Sequence, residues 1–434
     1  MFDITNPLAV EQLSGTARQE NASYGITLGL PHAFGQERTL LVFSEDQIAP
    51  PSGLAFHKPA ALAEQRLGSH MVVITHPDFE SALGPLVRLH ESRGQSVEVV
   101  TIDEVFDAFN YGERSPFAIR DFLQNAESRW SRKPQYLLLV GDASLDPRNY
   151  LGLGDFDFVP TRIIETAAFK TATDDWFSDF KQNGFETIAT GRLPVRTASD
   201  AALVVSKIVN YEKGFGVSHG NQQALLVADQ NIGADFTTAT KFAASDLPSS
   251  LQPTEIFADG MDPSAVQQRI IAALSGGPLL VNYSGHGSVE QWSFADFLDN
   301  SSAANLTNGD QLSVYLLMDC LNGFFQDVYS TSLAETLLLA PNGGAVAVWA
   351  SSGFTNQPPQ ASMNQALLQI LKTNPSMPIA AAIVQAKSGV SDNDVRRTWI
   401  FFGDPAMLLQ LPPSASMFRH PPARGNPPLK LQPY

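Results

Sequence analysis

The chain has 434 residues, of which 44% are hydrophobic, 17% charged and 9% aromatic, with a net charge of −16. This composition excludes a mostly disordered or low-complexity protein and supplies core for roughly two or three domains. No apolar run approaches the ~20 residues that span a bilayer, and the acidic balance repels phosphate backbones and anionic lipid. Neither a membrane span nor a nucleic-acid partner is therefore expected.

The sole cysteine, Cys320, excludes an intrachain disulfide and a Cys-rich zinc site. Met1-Phe2-Asp3-Ile4-Thr5 shows neither a basic nor an apolar leader segment, so no signal peptide is read in this chain. Residues 1–67 are rich in Gly, Pro and polar residues with short apolar patches such as 39–43, and read as a β-rich lead-in. From residue 68 apolar runs alternate with amphipathic stretches. Strands are expected at 71–75, 97–101 and 136–140, with a helix near 79–93 and another opening at Ser115-Pro116.

Residues 142–186 break the pattern with loop chemistry. A helix near 198–213 ends at Gly214, and 216–221 read as a linker. The alternation then resumes, with strands at 224–228, 254–257, 279–283, 314–318 and 345–349. Helices are expected near 236–246, 263–274, 332–340, 361–373 and 378–388. Continuous apolar strands separated by helices predict an α/β fold with parallel sheet covered on both faces, in two subdomains, 68–215 and 216–412. A Pro-rich tail, 413–434, follows.

In open parallel sheets functional groups collect beyond the carboxyl ends of the strands. Three predicted strands of the second subdomain end suggestively: 224–228 at Asp229, 279–283 at Ser284-Gly285-His286-Gly287, and 314–318 at Asp319-Cys320. A carboxylate, an imidazole and the only thiol form a candidate nucleophile–base–orienter set. Gly285 and Gly287 flank His286 where side chains would crowd a substrate backbone, and Gly323 keeps the cleft open. The amides of Gly287 and Cys320 are candidates for an oxyanion hole.

The remaining histidines have no such setting. Asp174, Asp175, Asp155 and Asp157 read as caps, turn braces or oxygen ligands of a structural calcium, without a recognisable calcium-loop motif. Asp142 reads as a brace for the Asp146-Pro147-Arg148 turn, and Asp404-Pro405 as a turn near the sheet edge. Phosphate-loop, His-Glu-x-x-His and Gly-x-Ser-x-Gly motifs are absent from the sequence.

Tyr283-Ser284-Gly285-His286-Gly287-Ser288 with Trp292, and Met318-Asp319-Cys320-Leu321-Asn322-Gly323-Phe324-Phe325, resemble the His and Cys segments of the gingipain family. Val140-Gly141-Asp142, Gly191-Arg192-Leu193-Pro194 and Thr398-Trp399-Ile400-Phe401-Phe402-Gly403-Asp404-Pro405 extend the resemblance, in the same order, over roughly residues 68–412. It implies a caspase-like, three-layer αβα fold and a cysteine endopeptidase. In that reading Cys320 is the nucleophile, His286 the general base and acid, and Gly287 and Cys320 supply the oxyanion amides. Asp229 orients the imidazole, with Gln230 as the alternative aligned position.

The resemblance also assigns Asp235, Trp292 and Gly285 to substrate binding, Asp235 as the acid that would receive a basic P1 side chain. Its competing reading is the N-cap of the helix that follows. The implied partner is a polypeptide, with a neighbouring domain or pro-segment. The chemistry requires no cofactor, though a structural calcium is compatible with it, and export as part of a larger precursor is implied. Two other functions share the motifs: a sortase-like transpeptidase that passes the acyl group to an amine, and a non-catalytic binding scaffold.

Overall fold

The computed structural model describes residues 1–21, 23–29, 37–50, 61–214 and 222–411. The expected linker at 216–221 and the tail at 413–434 lie outside the described residues. The described chain falls into two compact units divided between residues 58 and 59. The first is small and β-rich. Strands β1 (Phe2–Asp3), β2 (Glu11–Gln12) and β5 (Leu40–Leu41) form one antiparallel sheet, and β3 (Gly15–Glu20) pairs with β4 (Ser23–Leu28) in another. Residues 61–67, read above as the end of the lead-in, pack with the main unit instead, where Leu62 is buried beside Phe106 and Phe122.

A ten-stranded sheet organises the main unit. The stretch 68–215 contributes β6 (Met71–Thr75), β7 (Val97–Thr101), β8 (Tyr136–Val140) and β11 (Ala189–Leu193). The stretch 216–412 contributes β12 (Gln223–Ala228), β13 (Gln252–Phe257), β14 (Leu280–Ser284), β17 (Ser313–Met318), β18 (Ala345–Ser351) and β19 (Trp399–Phe402). Their order is β13-β12-β14-β17-β18-β19-β11-β8-β6-β7. Every neighbouring pair is parallel except β18 with β19. The strands from β19 to β7 therefore run opposite to the other five, and the carboxyl ends of the two groups lie on opposite edges of one sheet.

Helices cover both faces, which is why β6, β8 and β18 read as unbroken apolar runs. On one face α1 (Gly84–Ser92), α4 (Ala198–Glu212), α5 (Phe236–Ser245), α9 (Gln357–Thr373) and α10 (Ile379–Ser388) share a single hydrophobic cluster. The other face is divided. There α2 (Ile102–Asn110) and α3 (Pro116–Arg129) pack over β6 and β8, while α6 (Pro263–Ser275), α7 (Asn300–Ala304) and α8 (Leu333–Leu339) pack over β12, β14 and β17. The result is the three-layer, caspase-like arrangement. Among the described residues no helix is long and apolar enough to cross a membrane.

Two strands next to each other escaped sequence reading. β11 is buried along its length yet reads Ala-Thr-Gly-Arg-Leu, and β19 lies within a motif without a β-type run before it. They form the seam between the two halves, paired at Arg192 and Phe402. A side chain at Gly191 would collide with the Gly403 carbonyl, so the seam closes only around a glycine. The fully buried Arg192 guanidinium is held by Asp174 through Nε–Oδ2 and Nη2–Oδ1 contacts of 2.7 and 2.9 Å, and by the carbonyls of Gly141 and Val159. Asp175 is bound by Lys387 at 2.6 Å. Neither aspartate is thus a free cation ligand.

Further readings of the sequence need revision. Asp142 binds Arg196 at 2.6 Å rather than bracing the next turn, which Asp146 holds itself through the amides of Tyr150 and Leu151. Asp404 follows a strand in the middle of the sheet, not at its edge, and pairs with the buried His90 at 2.8 Å. Residues 162–165 and 170–173 form a hairpin, β9 (Arg162–Glu165) and β10 (Lys170–Thr173), inside the stretch read as loop. A short helix α11 (Asn393–Thr398) precedes β19.

Candidate active site

Register places the candidate residues side by side. Ala228 pairs with Ser284 and Ser284 with Met318, so β12, β14 and β17 end flush. Asp229, His286 and Cys320 follow within two residues of these strand ends, on the same edge of the sheet.

Asp229 is buried and accepts donors from three segments. Its Oδ2 takes the backbone amide of His286 at 3.0 Å, while Oδ1 takes the Ser293 hydroxyl at 2.8 Å and the Gln230 amide at 2.7 Å. The Tyr283 hydroxyl, which donates to the His286 carbonyl at 2.7 Å, lies 3.4 Å from Oδ2. The carboxylate thus fixes the backbone of the His286 loop and does not touch the imidazole. This corrects the expectation that Asp229 orients the ring, and Gln230 contributes an amide to Asp229 instead of replacing it. The imidazole Nε2 meets the Ile232 carbonyl at 2.8 Å. A carbonyl only accepts, so Nε2 carries the proton and Nδ1 holds the free lone pair.

The ring is bracketed by two aromatics. Phe236 meets it edge-on with centroids 5.2 Å apart, and Phe294 lies tilted against it at 4.5 Å. Phe294 is 78% exposed, and Ile232 and Phe354 are also open to solvent, so the rim is largely apolar.

Cys320 is half-buried. Its Sγ donates to the Thr355 carbonyl at 3.6 Å and accepts the Thr355 amide at 3.5 Å. Burial pushes the thiol up to about 11, with Asp319 adding to the shift and the Thr355 backbone opposing it. At neutral pH it is a thiol, and among the described residues no hydrogen bond joins it to His286. Thr355 is held by Gln360 from the first turn of α9. The neighbouring Phe354 packs on Phe169 at the tip of the β9–β10 hairpin, which also touches Phe324.

Asp319 is fully buried between these parts, and neither carboxylate oxygen has a hydrogen-bond partner. Burial, then the charge of Asp229, hold its carboxyl well above the usual carboxylate range. The amides of Gly287 and Cys320 donate to no acceptor among the described residues.

The three residues expected to bind substrate have packing or capping contacts here. Trp292 is 0% exposed and stacks flat on Tyr283 at 4.3 Å, so it supports the His286 loop from below. Gly285 is buried, and a side chain there would run into Tyr283 and the Cβ of Asp229. Asp235 caps α5, accepting the Thr238 amide at 2.9 Å and its hydroxyl at 2.7 Å, and these bonds lower its pKa. The competing reading of Asp235 is what the structure contains. Gly287 and Gly323 serve packing as well: a Cβ would meet Asp319 and the Cys320 carbonyl in one case and the Ala350 carbonyl in the other.

Sequence reasoning missed the Ile232 carbonyl, Ser293, Phe294 and Thr355. Ile232 and Thr355 act through the main chain, which leaves no side-chain signature. Ser293 adopts φ 64°, a left-handed turn that aims its hydroxyl at Asp229, and nothing in its residue type announced that.

The fold is a caspase-like sheet whose adjacent strand ends lead to an imidazole and the sole thiol. Comparison with known proteins agrees. The model of peptidase family C25 matches residues 65–410, and the chain belongs to that family. Gingipain R1 of Porphyromonas gingivalis is 24% identical over 376 residues, covering 80% of this chain and 35% of its own length. Gingipain R2 of the same organism is also 24% identical, with 47% of its length covered. The chain thus spans less than half of these curated relatives. Among solved structures, the Arg-specific cysteine proteinase gingipain R superposes with a TM-score of 0.65 at 21% identity, covering 82% of this chain and 81% of that one. A complex of P. gingivalis gingipain pro- and mature domains gives 0.65 at 21% identity, covering 79% and 80%.

Proposed function

We propose that the chain is a cysteine endopeptidase working through a Cys320 thioester. His286 Nδ1 takes the thiol proton as Sγ attacks the scissile carbonyl, and the amides of Gly287 and Cys320 receive the developing oxyanion. Nδ1–H then protonates the leaving amine as the C–N bond breaks. Water, activated by the same nitrogen, hydrolyses the thioester and restores the thiol.

The observation that carries this reading is the His286 ring itself. Its Nε2 is engaged by the Ile232 carbonyl, which leaves Nδ1 unengaged beyond the strand that neighbours the one leading to Cys320. In the resting arrangement Sγ is turned to Thr355, so substrate binding must rotate the thiol toward the imidazole. Family membership supports the same chemistry. The likeness to a gingipain solved with its pro-domain makes a pro-segment a proposed partner, and export belongs to the same reading.

The test is covalent capture. Acyloxymethyl ketone peptides bearing Arg, Lys or an uncharged P1 residue are offered to the wild type, Cys320→Ala and His286→Ala, with adducts mapped by mass spectrometry. The expected result is labelling at Cys320 that requires His286, together with hydrolysis of matching peptides. A folded wild type that neither labels nor cleaves would overturn the proposal, and a ligated product formed only with an added amine would replace hydrolysis by transpeptidation.

A further inference from the structure

A cavity of about 490 Å³ opens between the β9–β10 hairpin, the segment 175–184 and α11. None of the proposed catalytic residues lines it. Three guanidinium groups do: those of Arg162, Arg396 and Arg397.

Arg162 lies over the rings of Phe117 and Trp176, 4.9 and 5.1 Å from their centroids. Among the described residues it has no carboxylate partner, and its buried Nε has no hydrogen-bond acceptor. Arg396 is 7% exposed. One of its terminal nitrogens donates to the Val390 carbonyl at 3.0 Å and the other to Asn393, but its Nε is likewise buried without an acceptor. Arg397 is paired with Asp394 at 3.1 Å.

Two acids line the cavity as well. Asp175 holds Lys387, and Asp179 accepts the amides of Asn183 and Gly184 at 3.0 and 2.8 Å. The lining thus carries three guanidinium groups against two carboxylates. The two Nε atoms are sealed by protein, so an occupant of the cavity meets the terminal N–H groups and charge of Arg162, to which an oxyanion would supply the missing counter-charge. An aromatic floor under Arg162 fixes the guanidinium plane and leaves its N–H edge free.

We propose that this cavity is a binding site for a small oxyanion, a carboxylate or phosphate held chiefly by Arg162, with the charge of Arg396 behind it. The site is independent of the peptidase reading, because it needs neither Cys320 nor His286.

Isothermal titration calorimetry of the full chain at neutral pH tests it, with sodium phosphate and sodium citrate as probes and sodium chloride as the ionic-strength control. The expected result is saturable binding of at least one probe, weakened roughly tenfold or more by Arg162→Gln, as loss of a charge-assisted bond predicts. Citrate alone would mark the ligand as a carboxylate and phosphate alone as a phosphate. Arg162→Lys keeps the charge without the forked terminal N–H groups and serves as a second variant should the glutamine form fail to fold. Absence of saturable binding by either probe, or binding that both Arg162 variants leave unchanged, would overturn the site.

Discussion

The Asp229 carboxylate accepts the backbone amide of His286 at 3.0 Å, whereas the His286 ring leans on the Ile232 carbonyl at 2.8 Å. Loop position and ring orientation are thus controlled by different groups. Asp229→Ala removes the acceptor shared by the His286 amide, the Gln230 amide and the Ser293 hydroxyl. Leaving such buried donors unmet costs about 1–3 kcal/mol each, so a total loss of about 3 kcal/mol or more is expected. Turnover should fall as the loop loses its position. Denaturant unfolding with peptide kinetics checks this, and unchanged stability would mean that the three donors find other acceptors.

The resting thiol is protonated. With Cys320 pushed up to about 11, its thiolate fraction rises tenfold per pH unit until that value is reached. Iodoacetamide alkylation of the free protein should follow this slope across the neutral and alkaline range. A peptide-like probe should react far faster at neutral pH, because it brings thiol and imidazole together. A plateau in iodoacetamide reactivity near neutrality would instead signal a preformed thiolate–imidazolium pair.

Phe294 and Trp292 sit two residues apart and should behave oppositely. Phe294→Ala removes an exposed ring from the His286 face, so stability should change by about 0.5 kcal/mol or less while kcat/KM for peptides falls. Trp292→Ala empties a fully buried site under Tyr283 and should cost about 3–5 kcal/mol. Thermal unfolding with peptide kinetics separates the two. Equal losses of stability would contradict the exposure of Phe294.

Asp235→Ala should cost about 1 kcal/mol through loss of the α5 cap. Relative turnover of Arg and uncharged P1 peptides should not change. A selective loss of Arg turnover would return Asp235 to the substrate pocket.

Lys207 is buried in α4 with one bond, to the Leu338 carbonyl at 2.6 Å, and burial pulls its amine from 10.5 down to about 7. Between those values the unfolded chain binds more protons than the folded one, so this group makes stability rise with pH across that window. Below about 7 the full penalty is present. Lys207→Met should stabilise the protein at neutral pH by a few kcal/mol, on the order set by that linkage, and flatten the slope. Denaturation curves across the window decide it, and a destabilised methionine variant with an unchanged slope would refute the argument.

The strands β6, β8, β12, β14, β17 and β18 were legible because sheet buried on both faces demands unbroken apolar residues, and the motif positions of His286 and Cys320 followed from where those strands stop. β11 was not legible. Its Arg192 interrupts the apolar run, and Asp174, 18 residues earlier, neutralises it in the core. Trp292 likewise carried no mark of burial, since Tyr283 hides it only after the 286–293 loop folds back.

Composition and local pattern therefore determined the α/β class, the strand ends and the candidate thiol and imidazole, because short-range periodicity records which residues face a core. Tertiary structure decided what each polar group does. It turned Asp229 toward an amide, gave the imidazole a carbonyl partner in Ile232, and joined the two halves across Arg192 and Phe402. Those outcomes depend on hydrogen bonds and burial between distant segments, for which the residue types along any single stretch carry no signature.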